Sequence, residues 1–445
     1  MSSKYQRADL LSSWKEIAAY LGCDKRTCLR WEKNFGLPIH RLGAGLKARV
    51  FAYRTELDRW MQERVDKKTF SLEAFPRSRT WSRSFYLVLP VVGLIALLLY
   101  FLVLKPSYPN PADFRITKSK LFVVSEKSEE LWRYNTGIED LCDEKYYREH
   151  FQFKNKLSGA ISPPQMIIKD INQDGKTEVL FSIQTRNEVG EGELICFNHK
   201  GTILWKFAAG REMKFGSKIY SADYRIIGFE VNELNHDGRL EIIVSSAQRP
   251  QWPCQLVVLS SKGEKLGEYW NSGYFSDFVF VDLKGDGEKE IVAGGVNNEY
   301  GKACLAIFDP RLIKGSSPQL NPEYASKELG PGSEMYYLLL PRTDVDLADG
   351  YPVEGINEID ILKDKRISAE ASLSKVFYEF DYNLVLQELP RSSHGFEIWH
   401  RKAREGGKIK STLNEEYWKK LAQGVLYWDG QNWVSHPTMN FFYKN

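Results

Sequence analysis

The sequence lacks the short motifs that accompany most enzyme chemistry. It contains no G-x-S-x-G or H-E-x-x-H motif, and no glycine-rich phosphate loop follows an apolar strand. Its seven histidines are scattered along the chain, so each is interpreted as a surface or core residue. No two of the six cysteines form a C-x-x-C pair, which excludes the common zinc and redox signatures. These absences predict that the protein is not an enzyme.

Positive and negative charges are distributed unevenly along the chain. Residues 1–84 carry an excess of nine positive charges, and the remaining residues carry an excess of six negative charges. A basic segment on an acidic body indicates that only the first segment meets a polyanion. The 27% of charged and 13% of aromatic residues are typical of folded domains rather than of disordered chains.

A single long apolar run divides the sequence. Residues 85–104 read FYLVLPVVGLIALLLYFLVL and contain no charge. Twenty helical residues reach about 30 Å, the thickness of a hydrocarbon core, so we predict one transmembrane helix. Three arginines precede the run within ten residues and only Lys105 follows it, which favours a cytoplasmic N-terminus. We therefore expect a bacterial inner-membrane (cell-membrane) protein with an extracytoplasmic C-terminal region, and residues 65–84 form a basic juxtamembrane linker.

Residues 1–64 show the capping signals of a small helical domain. Ser13 and Glu16 form a capping-box pattern before an amphipathic run, and Gly22 ends that run. Asp24 is placed to cap a second helix, KRTCLRWEKN. Two helices separated by a tight turn are the arrangement with which many proteins read DNA.

A hairpin and a third helix are predicted after the second helix. The extended segments 39–42 and 49–53 are separated by GAGLKA, which indicates a β-hairpin with a basic tip. The following run places Leu57, Trp60 and Met61 on one helical face, which is predicted to enter the core.

The first 64 residues resemble the excisionase and MerR-type winged helices. The resemblance is carried by SWKEIAAYLG, by the RTxxRWE pattern at 26–32, by LPIHR and by VFAYRTELDRWM, and it covers residues 10–64. It implies a small α-rich winged helix-turn-helix domain that binds double-stranded DNA. Arginine suits guanine edges and lysine neutralises phosphate, so the expected DNA contacts are Lys25, Arg26, Thr27, Arg30, Lys33, Lys47 and Arg49. The alternative is a protein-interaction module whose charges are only solvated.

Acidic segments repeat in residues 113–445. They read D-x-N-x-D-G-x-x-E at 170–178, E-x-N-x-D-G-x-x-E at 233–241 and D-x-K-x-D-G-x-x-E at 282–290, each between apolar runs. A second pattern, ELICFNHKG, returns as QLVVLSSKG at nearly the same spacing, which indicates true repeats. Each unit is predicted as strand, acidic loop, two strands, turn and strand. The region is therefore predicted as an all-β propeller of six or seven four-stranded blades, and its repeats resemble FG-GAP/VCBS repeats.

The acidic loops have a metal-binding interpretation. Oxygen ligands at alternate positions of a glycine-containing loop suit Ca²⁺, here as a structural ion. The predicted ligands are Asp170, Asn172, Asp174 and Glu178 in the first loop and Glu233, Asn235, Asp237 and Glu241 in the second. The third loop contains Asp282, Asp286 and Glu290, with Lys284 at position three. An ammonium group cannot coordinate a cation, so Lys284 is expected to bridge Asp282 and Asp286 in place of the ion. The alternative for all three loops is an Asx-type turn without metal.

These features predict a multidomain, membrane-anchored transcriptional regulator, similar in layout to regulators of the ToxR type. The propeller would bind an extracytoplasmic ligand or signal, and the N-terminal domain would bind DNA. Specific binding normally needs two such domains on adjacent half-sites, which favours a homodimer, although the apolar run contains no G-x-x-x-G motif. The alternative is a membrane-tethered adhesion or scaffold protein whose propeller binds glycan or protein.

Overall fold

The computed structural model describes residues 9–42, 49–69, 108–149, 151–153, 156–157, 164–187, 192–234, 237–249 and 252–444. The chain divides into two compact units, Met1–Lys105 and Pro106–Asn445. The predicted transmembrane segment 85–104, together with Lys47 and Asn235, lies outside the described residues. Within those described ranges, no helix has the length and apolar character needed to cross a membrane.

The first unit consists of three helices and a three-stranded antiparallel sheet. Its elements are β1 Leu10–Leu11, α1 Trp14–Tyr20, α2 Lys25–Phe35, β2 His40–Leu42, β3 Arg49–Tyr53 and α3 Arg54–Thr69. The helices and the hairpin follow one another in the predicted order. Strand β1 was not predicted, and it pairs with β3 on the side away from β2. Because α3 continues to Thr69, the first five residues of the predicted linker 65–84 are helical.

Polar side chains and a glycine set the turn between α1 and α2. The Ser13 hydroxyl accepts a hydrogen bond from the N–H of Glu16 at 3.3 Å, and the Asp24 carboxylate accepts one from the N–H of Thr27 at 2.8 Å. Gly22 has φ +64°, a conformation that side chains disfavour. The predicted caps are therefore present, and they fix where α2 begins.

The core of the first unit is small and apolar. It consists of Leu11, Ile17, Ala18, Cys28, Leu37, Ala52 and Leu57. The Trp60 indole N–H donates to the carbonyl oxygen of Phe35 at 3.1 Å, which holds α3 against the end of α2. The prediction that Met61 enters the core is wrong, because its side chain is 36% exposed. Gln62 and Glu63 are also exposed, so α3 leaves the core after Trp60.

The second unit is built mainly of antiparallel sheets, labelled A to E in chain order. Sheet A contains β4 Asp113–Thr117, β5 Lys120–Val124 and β6 Glu130–Asn135. Sheet B contains β7 Phe151–Phe153, β8 Lys156–Leu157, β9 Met166–Lys169, β10 Glu178–Ser182, β11 Glu193–Phe197 and β12 Ile203–Ala208. A hairpin, β13 Met213–Phe215 and β14 Lys218–Tyr220, follows. Sheet C contains β15 Tyr224–Asn232, β16 Glu241–Gln248, β17 Cys254–Leu259 and β18 Lys265–Asn271.

Two further sheets and four helices complete the described part of the second unit. Sheet D contains β19 Phe275–Val281, β20 Glu290–Asn297, β21 Lys302–Phe308, β22 Tyr336–Leu339, β27 Leu426–Trp428 and β28 Trp433–Val434. Sheet E contains β23 Ile356–Ile361, β24 Arg366–Ala371, β25 Val376–Asp381 and β26 Arg391–Ser392. The helices are α4 Glu144–Glu149, α5 Asp344–Ala348, α6 His394–Glu405 and α7 Glu415–Gln423.

The predicted repeat is present in sheets B, C and D. In each of them an acidic loop joins two neighbouring strands, β9 to β10, β15 to β16 and β19 to β20. Strands β16 and β20 are buried along their whole length, so both faces of these sheets are covered. The acidic loops therefore lie at the ends of the most buried strands.

The prediction of six or seven four-stranded blades is wrong for the described residues. They form five sheets of three to six strands, together with the separate β13–β14 hairpin. The C-terminal segment supplies helices α6 and α7, and its last strands extend sheet D instead of starting another blade. Helical periodicity in this segment, with Phe396, His400 and Ala403 buried on α6, accounts for the difference.

Replacing Leu57 with alanine is expected to destabilise the first unit by about 3 kcal/mol, because it leaves a cavity in a small core. Met61→Ala, on the next turn of α3, is the matched control and is expected to cost less than about 0.5 kcal/mol, since the side chain lies outside the core. Hydrogen–deuterium exchange in peptides from α1, α2 and α3 of the full chain measures both effects. Equal acceleration of exchange in the two variants would contradict the core described here.

Candidate functional site

Helix α2 presents cations on its outward face. Lys25, Arg26, Arg30 and Lys33 are exposed, whereas Cys28 on the opposite face is buried. Positions three and four apart lie side by side on a helix, so the four cations share one surface. Within the described residues, none of the four forms an ion pair. This surface, the α2 basic face, can therefore meet an external anion without first breaking an internal pair.

Thr27 and the hairpin residues occupy different positions. The Thr27 hydroxyl donates to the Asp24 carboxylate at 3.0 Å and belongs to the cap of α2. The Thr27 hydroxyl therefore has a structural role in the cap, and a contact between this hydroxyl and DNA stays a prediction. Arg49 is exposed at the start of β3, and Lys47 lies outside the described residues. Arg41, on the neighbouring strand β2, pairs with Glu32 at 2.5 Å.

The sequence analysis did not identify one exposed residue that lies among the cations of the α2 basic face. Leu29 is 40% exposed and lies between Lys25 and Lys33 at helical spacing. An exposed leucine among cations is able to contact the methyl group of thymine. The i, i+4 spacing from Lys25 was a signal that could have identified it.

The first acidic loop forms a tight turn around its own backbone. The Asp170 carboxylate accepts hydrogen bonds from the N–H groups of Asp174 at 3.2 Å and Gly175 at 2.8 Å. The Asn172 side-chain oxygen accepts a further bond from the N–H of Asp174 at 2.9 Å. These are the bonds of an Asx-type turn. The Asn172 amide nitrogen also donates to Glu178 Oε1 at 3.3 Å, so the structure brings all four predicted ligands together.

The fourth predicted ligand of this loop, Glu178, is buried. Its carboxylate accepts a hydrogen bond from the N–H of Ile171 at 3.1 Å. Burial and, to a smaller extent, the charges of Asp174 and Asp170 raise the pKa of Glu178 to about 7 against the opposite effect of the Ile171 bond. A cation in this loop would favour the ionised form of Glu178.

The second acidic loop is described except for residues 235–236. Glu241 is buried and accepts a hydrogen bond from the N–H of Leu234 at 3.1 Å. The N–H of Arg239 donates to the Asp237 carboxylate at 2.7 Å. Burial raises the pKa of Glu241, as it does that of the equivalent Glu178. Glu233 and Asp237 flank the part that is not described, and Asn235 falls within it.

The third acidic loop has the same backbone hydrogen bonds as the first. The Asp282 carboxylate accepts from the N–H groups of Asp286 at 3.1 Å and Gly287 at 2.9 Å. The buried Glu290 accepts from the N–H of Leu283 at 3.0 Å. The loops therefore differ chiefly in position three, which is asparagine in the first and lysine in the third.

Lys284 places an ammonium group inside the third loop. Its Nζ lies 2.8 Å from Glu290 Oε1, 3.5 Å from Asp286 and 3.7 Å from Asp309. Burial by itself lowers the pKa of Lys284, but the hydrogen bond to Glu290 and the charges of Glu290 and Asp309 outweigh it, and the pKa is raised. The predicted bridge is correct for Asp286 and wrong for Asp282, because the ammonium points towards the buried carboxylates.

Asp309 was not predicted as part of this loop. It follows β21 directly and belongs to none of the three acidic segments. The Arg311 guanidinium donates to Asp309 Oδ1 at 2.9 Å, so two cations meet this carboxylate. Across the described ranges, no group of three or more His, Cys, Asp or Glu side chains is arranged to hold a metal ion.

Comparison with known proteins supports the fold of the second unit. A family model described as the Lambda-carrageenase beta-propeller domain matches residues 145–220, from within α4 to the end of β14. Together with the repeated antiparallel sheets, this match shows a β-propeller-like domain. No curated protein matches the chain.

Similar solved structures include the Dos1 propeller, with 10% identity and a TM-score of 0.35 over 62% of this chain and 56% of that chain. A Bacteroides caccae protein of unknown function has 12% identity and a TM-score of 0.27 over 64% of this chain and 74% of that chain. The V. cholerae biofilm matrix protein Bap1 has 13% identity and a TM-score of 0.22 over 46% of this chain and 35% of that chain. The chain spans about half of the Dos1 propeller, and none of these likenesses bears on function.

Replacing Lys284 with methionine keeps an unbranched side chain that is one atom shorter and removes the positive charge. The free energy of unfolding of the second unit is expected to fall by about 3 kcal/mol, because Glu290 would keep a buried negative charge without its cation. Urea unfolding of the full chain, followed by tryptophan fluorescence, measures the change. Lys327→Met, at an exposed lysine, is the control. A loss no larger than that of the control would show that the ammonium does not stabilise the loop.

Proposed function

We propose that the chain is a membrane-anchored DNA-binding transcriptional regulator whose propeller-like domain is an extracytoplasmic sensor or ligand-binding part. The α2 basic face is the observation that carries this proposal. Four exposed cations lie on the second of two helices joined by a short turn, and a β-hairpin follows. This order of elements is that of winged helix-turn-helix domains, in which the second helix enters the major groove.

The chemistry of the α2 basic face suits a DNA duplex. Eleven helical residues reach about 16 Å, enough to lie across the major groove. Arg26 and Arg30 offer forked donors to guanine edges or phosphates, and Lys25 and Lys33 offer point charges to phosphates. Leu29 offers an apolar contact to thymine. The face thus combines groups that bind any DNA with groups that distinguish bases.

The sequence supports the membrane part of the proposal. The run 85–104 has the length and composition of a single span, and arginines precede it. A domain that reads DNA must face the cytoplasm, which puts the propeller-like domain outside the bacterial inner membrane. One helix-turn-helix covers one half-site, so we propose that two copies act together as a homodimer.

Double-stranded DNA binding is tested by charge reversal on α2. In Arg26→Glu/Arg30→Glu, the affinity of the full chain for DNA is expected to fall at least about tenfold. The slope of the logarithm of the binding constant against the logarithm of the salt concentration is expected to become shallower by about two units. Both positions are exposed, and a glutamate at position 26, in the first turn of α2, is compatible with the helix dipole, so the fold is expected to persist. Fluorescence anisotropy with labelled duplexes over a series of salt concentrations provides the measurement.

The matched control is Lys15→Glu/Arg59→Glu, which changes net charge equally at exposed positions of α1 and α3. Its affinity is expected to fall much less than that of the α2 double variant. Equal weakening in the two variants, or no sequence preference at any salt concentration, would overturn the regulator proposal. Unchanged DNA occupancy in cells after α2 charge reversal would instead favour the adhesion or scaffold alternative.

We propose in addition that the first and second acidic loops bind structural Ca²⁺, and that the carboxylates of the first loop, which accept hydrogen bonds from its own backbone and are not arranged around an ion, turn towards the ion when it binds. In this proposal Asp170, Asn172, Asp174 and Glu178 hold one ion, and Glu233, Asn235, Asp237 and Glu241 hold the other. The third loop supports it, since an ammonium group lies beside the buried glutamate where the otherwise matching first loop has asparagine. A positive charge is therefore compatible with this backbone.

Exchanging position three between loops tests the calcium proposal. Asn172→Lys is expected to remove one calcium equivalent by supplying an internal ammonium, and Lys284→Asn is expected to add one by removing it. Equilibrium dialysis of the full chain against calcium counts the ions in the wild type and both variants. The same count in all three proteins, or no calcium in any of them, would overturn the proposal.

A further inference from the structure

A cavity in the second unit is not part of the acidic loops. It lies between the segment 316–334 and the C-terminal part of the chain, and its volume is about 250 Å³. Its wall includes Ser317, Gln319, Glu334, Trp428 and Phe442. Among the lining residues, which all fall within the described ranges, Glu334 is the one ionisable side chain. The cavity therefore combines one acidic group with apolar and aromatic walls.

The Glu334 carboxylate is buried without a compensating cation. Only 1% of the residue is exposed, and no Lys, Arg or His in the described part of the chain lies within ion-pair distance of it. Glu334 Oε1 accepts a hydrogen bond from the Asn440 amide at 3.0 Å. Within the described residues no donor bonds Oε2 with normal geometry, although the Tyr269 hydroxyl, which also lacks such a bond, lies beside the carboxylate. Burial raises the pKa of Glu334 to about 8, although the nearby Tyr269 hydroxyl and Asn440 act in the opposite direction.

A second acceptor of the same wall is also without a partner. The Gln319 amide nitrogen donates to the Ser317 hydroxyl oxygen at 2.9 Å, which orients the side chain. Its oxygen, Oε1, is buried and receives no hydrogen bond from any described residue. Buried acceptors are costly when unbonded. Two open acceptors, one of them a carboxylate, complement a ligand that donates hydrogen bonds and carries a positive charge.

We propose that this cavity binds a small organic ammonium ion. Its N–H groups would donate to Glu334 Oε2 and Gln319 Oε1, and its carbon atoms would pack against Trp428 and Phe442, where aromatic rings also favour a cation. The volume of about 250 Å³ has room for a ligand of a few carbon atoms. A hard metal ion fits less well, because it requires about six oxygen ligands and this wall offers two open ones.

The proposal is independent of the proposed regulatory function. It assigns the propeller-like domain a ligand class, and it does not require that binding be transmitted to DNA. A failure of the DNA experiments would leave it intact, and its own failure would not affect the α2 basic face.

n-Propylammonium is the probe, and 1-propanol is its neutral analogue of matched shape. Ligand-observed NMR titration of the full chain is expected to show binding of the ammonium ion at least about tenfold tighter than that of the alcohol. Affinity is expected to rise about tenfold from about pH 7 to about pH 9, because Glu334 ionises over this range while the ammonium group stays protonated.

Glu334→Gln is expected to weaken ammonium binding at least about tenfold and to remove the pH dependence. Gln319→Leu, which leaves the carboxylate in place, is expected to weaken it by about tenfold and to keep the pH dependence. Glu328→Gln, at an exposed glutamate that does not line the cavity, is the control and is expected to change neither. Equal affinity for 1-propanol, absence of ammonium binding, or unchanged binding after Glu334→Gln would overturn the proposal.

Discussion

A backbone N–H group that donates to a buried glutamate closes each acidic loop, and the repeated sheets depend on this bond. It joins Ile171 to Glu178, Leu234 to Glu241 and Leu283 to Glu290, at 3.1, 3.1 and 3.0 Å. The glutamate opens the second strand of each pair, so the bond also fixes where that strand begins. An isolated carboxylate in an apolar interior is strongly disfavoured. Each repeat therefore needs a second group that compensates the negative charge of its buried glutamate, or the glutamate must stay protonated.

The repeats meet this requirement in different ways. The third loop has an internal cation, Lys284, shared among several carboxylates. The first loop has the same backbone bonds and no lysine at the corresponding position, so burial raises the pKa of Glu178 instead. Glu334 shows the same condition outside the repeats, with a raised pKa and an open oxygen atom. Uncompensated buried carboxylates are therefore the positions at which this domain has most to gain from an added cation.

Features of the fold that depend on neighbouring residues could be predicted from the sequence. Features that depend on long-range packing could not. Caps at Ser13 and Asp24 depend on neighbouring residues, so α1 and α2 were predicted correctly. The two-residue strand β1 depends on pairing with β3, which lies more than forty residues away. No pattern in the neighbouring residues predicts this strand. The role of Lys284 was predictable from its charge, but its partner Asp309 comes from another strand. Glu334 and Gln319 carry no motif, because only the fold brings them to one wall.

The cations of α2 that are unpaired in the described part of the chain lie on one helix face, and this arrangement favours an external anion. Arg41 pairs with Glu32, His40 lies 2.6 Å from Glu56, and the Tyr20 hydroxyl donates to Asp58. These contacts link helices to the hairpin or to each other, as structural charges do. The four cations of the α2 basic face have no such partners within the described residues, although acidic side chains are present on every helix of the unit. Solvated cations on one helix face gain most from a polyanion, because binding releases its counterions.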